Sequence, residues 1–209
     1  MRPGQRGPWP ISNDGSRIFF RQYQQAEKCL ICRIGEYCSY CERCGDLHVE
    51  HMIPKSVAKD LETEWSNLLL GCSNCNSRKS NKNDSRDGYL WPDRDDTFSA
   101  FVYQLSGHVS VNGTLARGEY CKASALFNLV GLGAEESLTD KRHRKRRQAW
   151  NMALKARCHI CDDNSRNVVD LVITLALEIG FFSIWMAVFH DDEDMRCRLT
   201  EAFPGTRLG

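Results

Sequence analysis

The sequence predicts an α+β chain, with a small finger near the N-terminus, a helix before it, and a mostly helical C-terminal region that contains one β-hairpin. Three observations predict it. Two Cys-x-x-Cys pairs, Cys38/Cys41 and Cys72/Cys75, bracket a short alternating stretch and an apolar run. Residues 98–111 alternate about Gly107, the pattern of two strands joined by a turn. From Cys121 onward the apolar residues recur at helical spacing. Four thiols in two knuckles suit a tetrahedral zinc ion, which prefers soft sulfur and closes a structural site. The finger is therefore read as zinc-stabilised. The 209 residues allow one or two compact units, divided here as an arm and helix over 1–36, a finger over 37–85, and a hairpin with helices over 86–209.

Residues 1–15 are rich in Pro, Gly and polar side chains and read as an extended arm. Arg2 and Arg6 in it are either solvated or available to phosphate. Phe20, Tyr23, Ala26, Leu30 and Ile34 fall at helical spacing, so a helix is expected over 17–34 with Gly35 as its stop. Cys29 and Cys32 lie in that helix and are expected on its buried face. In the finger, His48-Val-Glu-His51 alternates as a strand, with His48 and Glu50 on one face and His51 on the other. Pro54 breaks the pattern, and 57–61 is a short irregular segment. Trp65 to Leu70 reads as the second strand, and Asn76 to Asn81 as the closing helix.

Residues 82–98 are polar and turn-rich, with an acidic cluster that is either a solvated loop or a cation site. Helices are expected over 123–132, 135–156, 167–179, 183–189 and 191–202. The second of them is strongly basic, with Lys141, Arg142, Arg144, Lys145, Arg146 and Arg147 around His143. A run of that kind covers the whole helix surface, so part of it must face solvent or an anion. Val168 to Phe189 is long and apolar, but Asp170, Glu178 and Gly180 interrupt it. Charges at membrane depth are costly, and a buried helix pair is expected instead of a membrane span. Cys158-His-Ile-Cys161 is a further Cys-x-x-Cys without a matching pair nearby, and whether it or Cys29/Cys32 binds metal stays open.

Lys and Arg total 28 and Asp and Glu 27, a formal net charge of +1. There is no global pull toward nucleic acid, so any electrostatic footprint must be local. The 11 cysteines are an odd number, no apolar run follows the charged N-terminus, and the clearest pairs have zinc spacing. Reduced thiols and a cytoplasmic protein are expected.

Inside the cysteine bracket, and directly after it at Asn76, lies a second set of residues. A carboxylate and amide oxygens at Glu50, Asn67 and Asn76 suit a hard divalent cation, and His51 beside them can take a proton near neutral pH. The pattern Cys-x-x-Cys, Glu-His, Trp-x-Asn-Leu, Cys-x-x-Cys-Asn-x-x-Lys resembles the HNH endonucleases, whose core is a ββα-metal finger. Within them it is similar to a subfamily of anti-phage defence nucleases in Met1 to Gly7, Tyr37 to Glu42, Val49 to Lys55 and Phe203 to Thr206.

The resemblance implies a hydrolase of nucleic acid phosphodiesters, with DNA favoured over RNA. Four ligands, Cys38, Cys41, Cys72 and Cys75, would hold structural Zn²⁺. Glu50 and Asn76 would hold the catalytic metal, His51 would act as base, and Asn67 would orient His51. It also implies that the strand end is bent, so that Glu50 and His51 serve one site. Glu replaces the family's first His or Asp and Asn its last His, and this oxygen set favours Mg²⁺ or Mn²⁺. Lys79, one turn past Asn76, is a candidate phosphate contact with Arg142, Arg144, Lys145, Arg146 and Arg147. His48 is either an ordinary strand residue or an extra ligand. The subfamily works with an ABC/SMC-like ATPase partner, and this chain has no Gly-x-x-x-x-Gly-Lys loop of its own. The alternatives are a non-catalytic zinc module that binds nucleic acid or protein, and a nuclease that acts alone.

Overall fold

The computed structural model describes residues 1–207. Its centre is the finger. Strand β1 (Leu47–His51) pairs antiparallel with β2 (Leu68–Cys72), placing Leu47 opposite Cys72, His48 opposite Gly71, and His51 opposite Leu68. Helix α2 (Ser73–Lys79) follows β2 directly. The pleat sets His48 and Glu50 on one face and His51 on the other. His48 is exposed, as an ordinary strand residue would be, whereas Glu50 is buried.

Two expected boundaries shift. Residues 65–67 form a 3₁₀ turn and not a strand, because the Glu64 side chain accepts from the Ser66 N–H and caps that turn. The closing helix begins at Ser73 and not at Asn76. Cys75, Asn76 and Lys79 therefore all ride on one helix, with Cys75 and Lys79 turned inward.

The N-terminal arm is ordered and packed. Gly4 bridges to Thr206, and the Gln5 N–H donates to the Gly205 carbonyl. Only the end of the expected 17–34 helix forms, as a 3₁₀ turn over Tyr23–Ala26 and α1 (Glu27–Ile34). Upstream, Ile11 bridges to Arg17, and the Asp14 carboxylate gathers Ser12 and Ser16 into a turn. The Gln25 side chain accepts from the Arg21 and Gln22 N–H groups and starts the helical segment. Gly35 stops it at φ 73°. Leu30 and Ile34 take the buried face, so Cys29 is half-buried and Cys32 exposed. Neither thiol is buried as expected.

Strands β3 (Phe101–Tyr103) and β4 (Val109–Val111) form the hairpin. Helix α3 (Arg117–Leu129) packs against β4. Helix α4 (Arg142–Asp162) starts seven residues later than Glu135, because Ser137 and Asp140 close a turn and the Asp140 carboxylate accepts from the Arg142 N–H. Its buried stripe is Arg142, Arg146, Ala149, Ala153, Ala156 and Ile160, one face of a 3.6-residue helix.

The apolar stretch is two helices split at Gly180 with φ 74°: α5 (Arg166–Ile179), amphipathic with only Val169, Val172 and Ala176 buried, and α6 (Phe182–Val188), which alone is buried as the pair was expected to be. Helix α6 is apolar on nearly every side and is enclosed by α4, α7 and β3. Helix α7 (Glu193–Ala202) is capped by Asp192, which accepts from the Met195 N–H. No described helix is long and apolar enough to cross a membrane.

Candidate active site

The two knuckles converge. The sulfurs of Cys38, Cys41, Cys72 and Cys75 all lie within 4.8 Å of one another, and all four residues are buried. Cys41 Sγ and Cys72 Sγ are 3.6 Å apart. A disulfide would need about 2.05 Å. Zinc at about 2.3 Å from four sulfurs gives tetrahedron edges of about 3.8 Å, so the spacing fits zinc. The Cys72 N–H donates to Cys38 Sγ at 3.3 Å, as backbone groups around a thiolate site do.

The inward face of α4 meets this sulfur cluster. Arg142, 1 % exposed, donates from Nη1 to Cys75 Sγ at 3.1 Å and to the Val130 carbonyl at 3.0 Å. Its Nε and Nη2 grip Asp140 at 2.9 and 2.7 Å. Burial lowers the Arg142 pKa, but the bond to Asp140 and the charges of Cys75 and Cys41 outweigh it and push it up. Arg146, one turn on and equally buried, donates from Nε to the Gly107 carbonyl, and its Nη1 has no partner among the described residues. Four thiolates on Zn²⁺ would carry a net charge of about −2, and Arg142, shared with Asp140, and Arg146 bring positive charge toward it. Neither residue reaches solvent, so neither is a nucleic-acid contact. Of the basic run, Arg142 is the residue that faces the thiolate of Cys75, together with the Asp140 carboxylate. Arg144 is half-buried beside Glu136, and Lys145 and Arg147 are exposed.

A cleft of about 380 Å³ is lined by Tyr23, Glu50, His51, Lys55, Asn76 and Lys79 among others. Glu50 and His51 thus serve one space from the end of β1. His51 is half-buried, and its Nε2 bonds the Glu62 carbonyl at 2.8 Å. As a donor there, Nε2 carries the proton. Nδ1 is left with no protein partner among the described residues, which makes it the basic nitrogen. Burial lowers the His51 pKa, with Lys55 helping and the Glu62 carbonyl opposing, so the ring is neutral. The Tyr23 ring meets the imidazole edge at a centroid distance of 4.6 Å.

Asn67 makes no hydrogen bond to His51. Its Oδ1 accepts from the Ile53 N–H at 2.8 Å, and its Nδ2 donates to the carbonyls of Ile53 and Leu61. It braces the loop that delivers Glu62 and so acts on His51 one step removed.

Glu50 is 2 % exposed. Its Oε2 accepts from the Tyr40 hydroxyl at 2.5 Å, and its Oε1 meets Lys79 Nζ at 2.8 Å. Burial raises the Glu50 pKa, and Lys79 and Tyr40 oppose that shift. Lys79 also donates to the His51 carbonyl at 2.7 Å and is 1 % exposed. It is an internal cation and not the surface phosphate contact expected of it. Asn76 is half-buried, and its side chain makes no hydrogen bond among the described residues. Gly71 leaves room between the two candidate ligands: a Cβ there would stand 3.1 Å from Glu50 Cβ and 4.0 Å from Asn76 Cβ. Oxygen donors at the edge of that space fit Mg²⁺ or Mn²⁺.

Sequence reasoning missed Tyr23, Tyr40 and the Glu62 carbonyl, and gave Lys55 no role. Tyr40 sits between the knuckle cysteines, where its position was readable and its reach to Glu50 was not. Arg2 and Arg6 are also reassigned. Arg2 donates to the carbonyls of Ile34 and Pro204, and Arg6 to those of Ser66 and Leu68 and to Asp93. Both are buried and hold the arm down.

A family model for HNH endonucleases matches residues 38–82. The chain is also similar to the Septu protein PtuB of Bacillus thuringiensis, with 24% identity over 111 residues. That match covers 53% of this chain and 38% of the relative's length, so the chain spans well under half of the curated relative. The matched residues hold the buried sulfur cluster, the Glu50-His51 strand end and the Asn76 helix, so the likeness to HNH endonucleases falls on the site itself.

Proposed function

We propose that this chain is a metal-dependent endonuclease that hydrolyses nucleic acid phosphodiesters, with DNA favoured over RNA. It serves as the effector of a Septu-type anti-phage system under an ABC/SMC-like ATPase of the PtuA type. The observation that carries the chemistry is His51, a neutral imidazole anchored at Nε2 by the Glu62 carbonyl, with Nδ1 free in a cleft that Glu50 and Asn76 also line. The likeness to PtuB supports the defence role and the ATPase.

In this reading His51 Nδ1 takes a proton from water as the water oxygen bonds to phosphorus. The bond from phosphorus to the 3′ oxygen breaks, and that oxygen takes a proton from solvent. The Glu62 carbonyl keeps the Nε2–H and stabilises the imidazolium that forms. The Tyr23 ring limits the tilt of the imidazole. Lys55, exposed at the cleft mouth with its Nζ 4.7 Å from the Tyr23 ring centroid, offers its ammonium to a backbone phosphate. Glu50 and Asn76 would hold Mg²⁺ or Mn²⁺, which when bound would stabilise charge on the phosphoryl group. Arg144, Lys145 and Arg147 present further positive charge to the polynucleotide, a contact that positions without reading sequence.

The test is cleavage of plasmid DNA and tRNA by the zinc-loaded chain, with Mg²⁺ or Mn²⁺, with and without the ATPase. His51→Ala should abolish cutting and leave zinc content unchanged. Cutting that survives His51→Ala removes the assignment of the base. No cutting by the wild type under any condition favours a non-catalytic zinc module.

A further inference from the structure

The Glu50 carboxylate is already neutralised inside the protein. Lys79 Nζ lies 2.8 Å from Oε1, in a place where both side chains are about 1 % exposed. A second bond from Nζ to the His51 carbonyl fixes the ammonium between α2 and β1. Tyr40 takes the other carboxylate oxygen. The remaining candidate ligand, Asn76, is uncharged. The formal charge of the pocket between Glu50 and Asn76 is therefore zero, with a cation fixed at its wall. Affinity for Mg²⁺ or Mn²⁺ rises with the number of anionic ligands, and Mg²⁺ keeps its waters unless charge or phosphate replaces them. A phosphodiester brings the anionic oxygens that this pocket lacks.

We propose that Lys79 keeps the catalytic cation out of the free protein, so that cation and phosphodiester enter the site together. This rests on the reading of Glu50 and Asn76 as the cation's ligands. Lys79 is then a positioning residue. It holds Glu50 in its ligating orientation, and it makes cation binding conditional on nucleic acid.

Mn²⁺ binding, followed by electron paramagnetic resonance, tests this without turnover. The zinc-loaded His51→Ala chain, which cannot cut, is titrated with Mn²⁺ alone and with a short duplex of whichever nucleic acid the wild type cuts. The duplex should tighten Mn²⁺ binding about 10- to 100-fold, the usual range for coupled ligands, and Mn²⁺ should tighten duplex binding by the same factor. A duplex with an uncharged methylphosphonate at the scissile position should lose most of that gain. Lys79→Met in the same background should bind Mn²⁺ without nucleic acid. The comparison with and without duplex needs no change at Lys79, so it stands even if Lys79→Met fails to fold. Equally tight Mn²⁺ binding with and without duplex, lost in Glu50→Gln, overturns the coupling and leaves the endonuclease reading intact. Duplex-dependent Mn²⁺ binding that is indifferent to Glu50→Gln and Asn76→Ala overturns the ligand assignment itself.

Discussion

Asn67 sits at the root of the loop between the two strands of the finger, with both ends of its amide bonded to that loop. Removing it leaves the Ile53 N–H and two carbonyls without their partner. Asn67→Ala should lower stability by about 1–3 kcal/mol, read from denaturant unfolding. It should reduce cutting without abolishing it, because the Glu62 carbonyl still exists but is less firmly held. The contrast with His51→Ala, which should lose activity and keep stability, separates a brace from a base. A linear motif pointed to Asn67 as the residue that orients His51, whereas its amide bonds Ile53 and Leu61. Lys79 shows the same limit more sharply. Its spacing from Asn76 was legible. The inward turn that gives it to Glu50 depends on α2 beginning three residues early, because the helix starts straight from the end of β2.

Helix α4 carries its basic run in two directions. Arg142 and Arg146 head the same stripe as Ala149 and Ala153, so the helix is laid against the rest of the protein by charge at one end and by small apolar side chains further along. Arg142→Met should leave the thiolate cluster and Asp140 without their shared cation. Breaking a buried pair of this kind costs about 3–5 kcal/mol, and zinc should pass to a competing chelator faster than from the wild type. Arg142→Lys should not restore retention, because a single ammonium cannot reach Asp140, Cys75 and two carbonyls at once. The charge pattern of this helix was legible in the sequence, but its partner was not, since thiolates far back in the chain do not register as anions in a count of acidic residues. By contrast, the bounds of α5 and α6 were readable, because apolar periodicity and a Gly at the joint are local signals.

At the scale of the whole molecule, the zinc finger is a hub. Glu42, next to Cys41, accepts from the Arg2 N–H, the Tyr103 hydroxyl, and the Ser183 N–H and hydroxyl, while its own carbonyl takes the Phe181 N–H. The Met1 ammonium pairs with the same carboxylate at 3.3 Å. The arm, the hairpin and the α5–α6 joint all end on one knuckle, and α4 ends on the other. Zinc removal, or Cys72→Ser, should therefore unprotect more than the finger. Backbone amides of α4 and α6 should exchange with deuterium faster along with those of β1 and β2, since structural zinc supplies folding free energy to whatever docks on it. Confinement of the change to residues near the knuckles would show that the helical half stands alone. The finger was legible because its motif lies within one short stretch of chain. Its enclosure was not, because Glu42 and Ser183 are 141 residues apart, and pairings at that distance leave no trace in local spacing. That separation also has a meaning in time. During synthesis the knuckle emerges early, while its last walls are still untranslated. At about 5–20 residues per second, Ser183 follows Glu42 by roughly 7–28 s, so a chain still on the ribosome carries the Glu50-His51 end of β1 in an open frame.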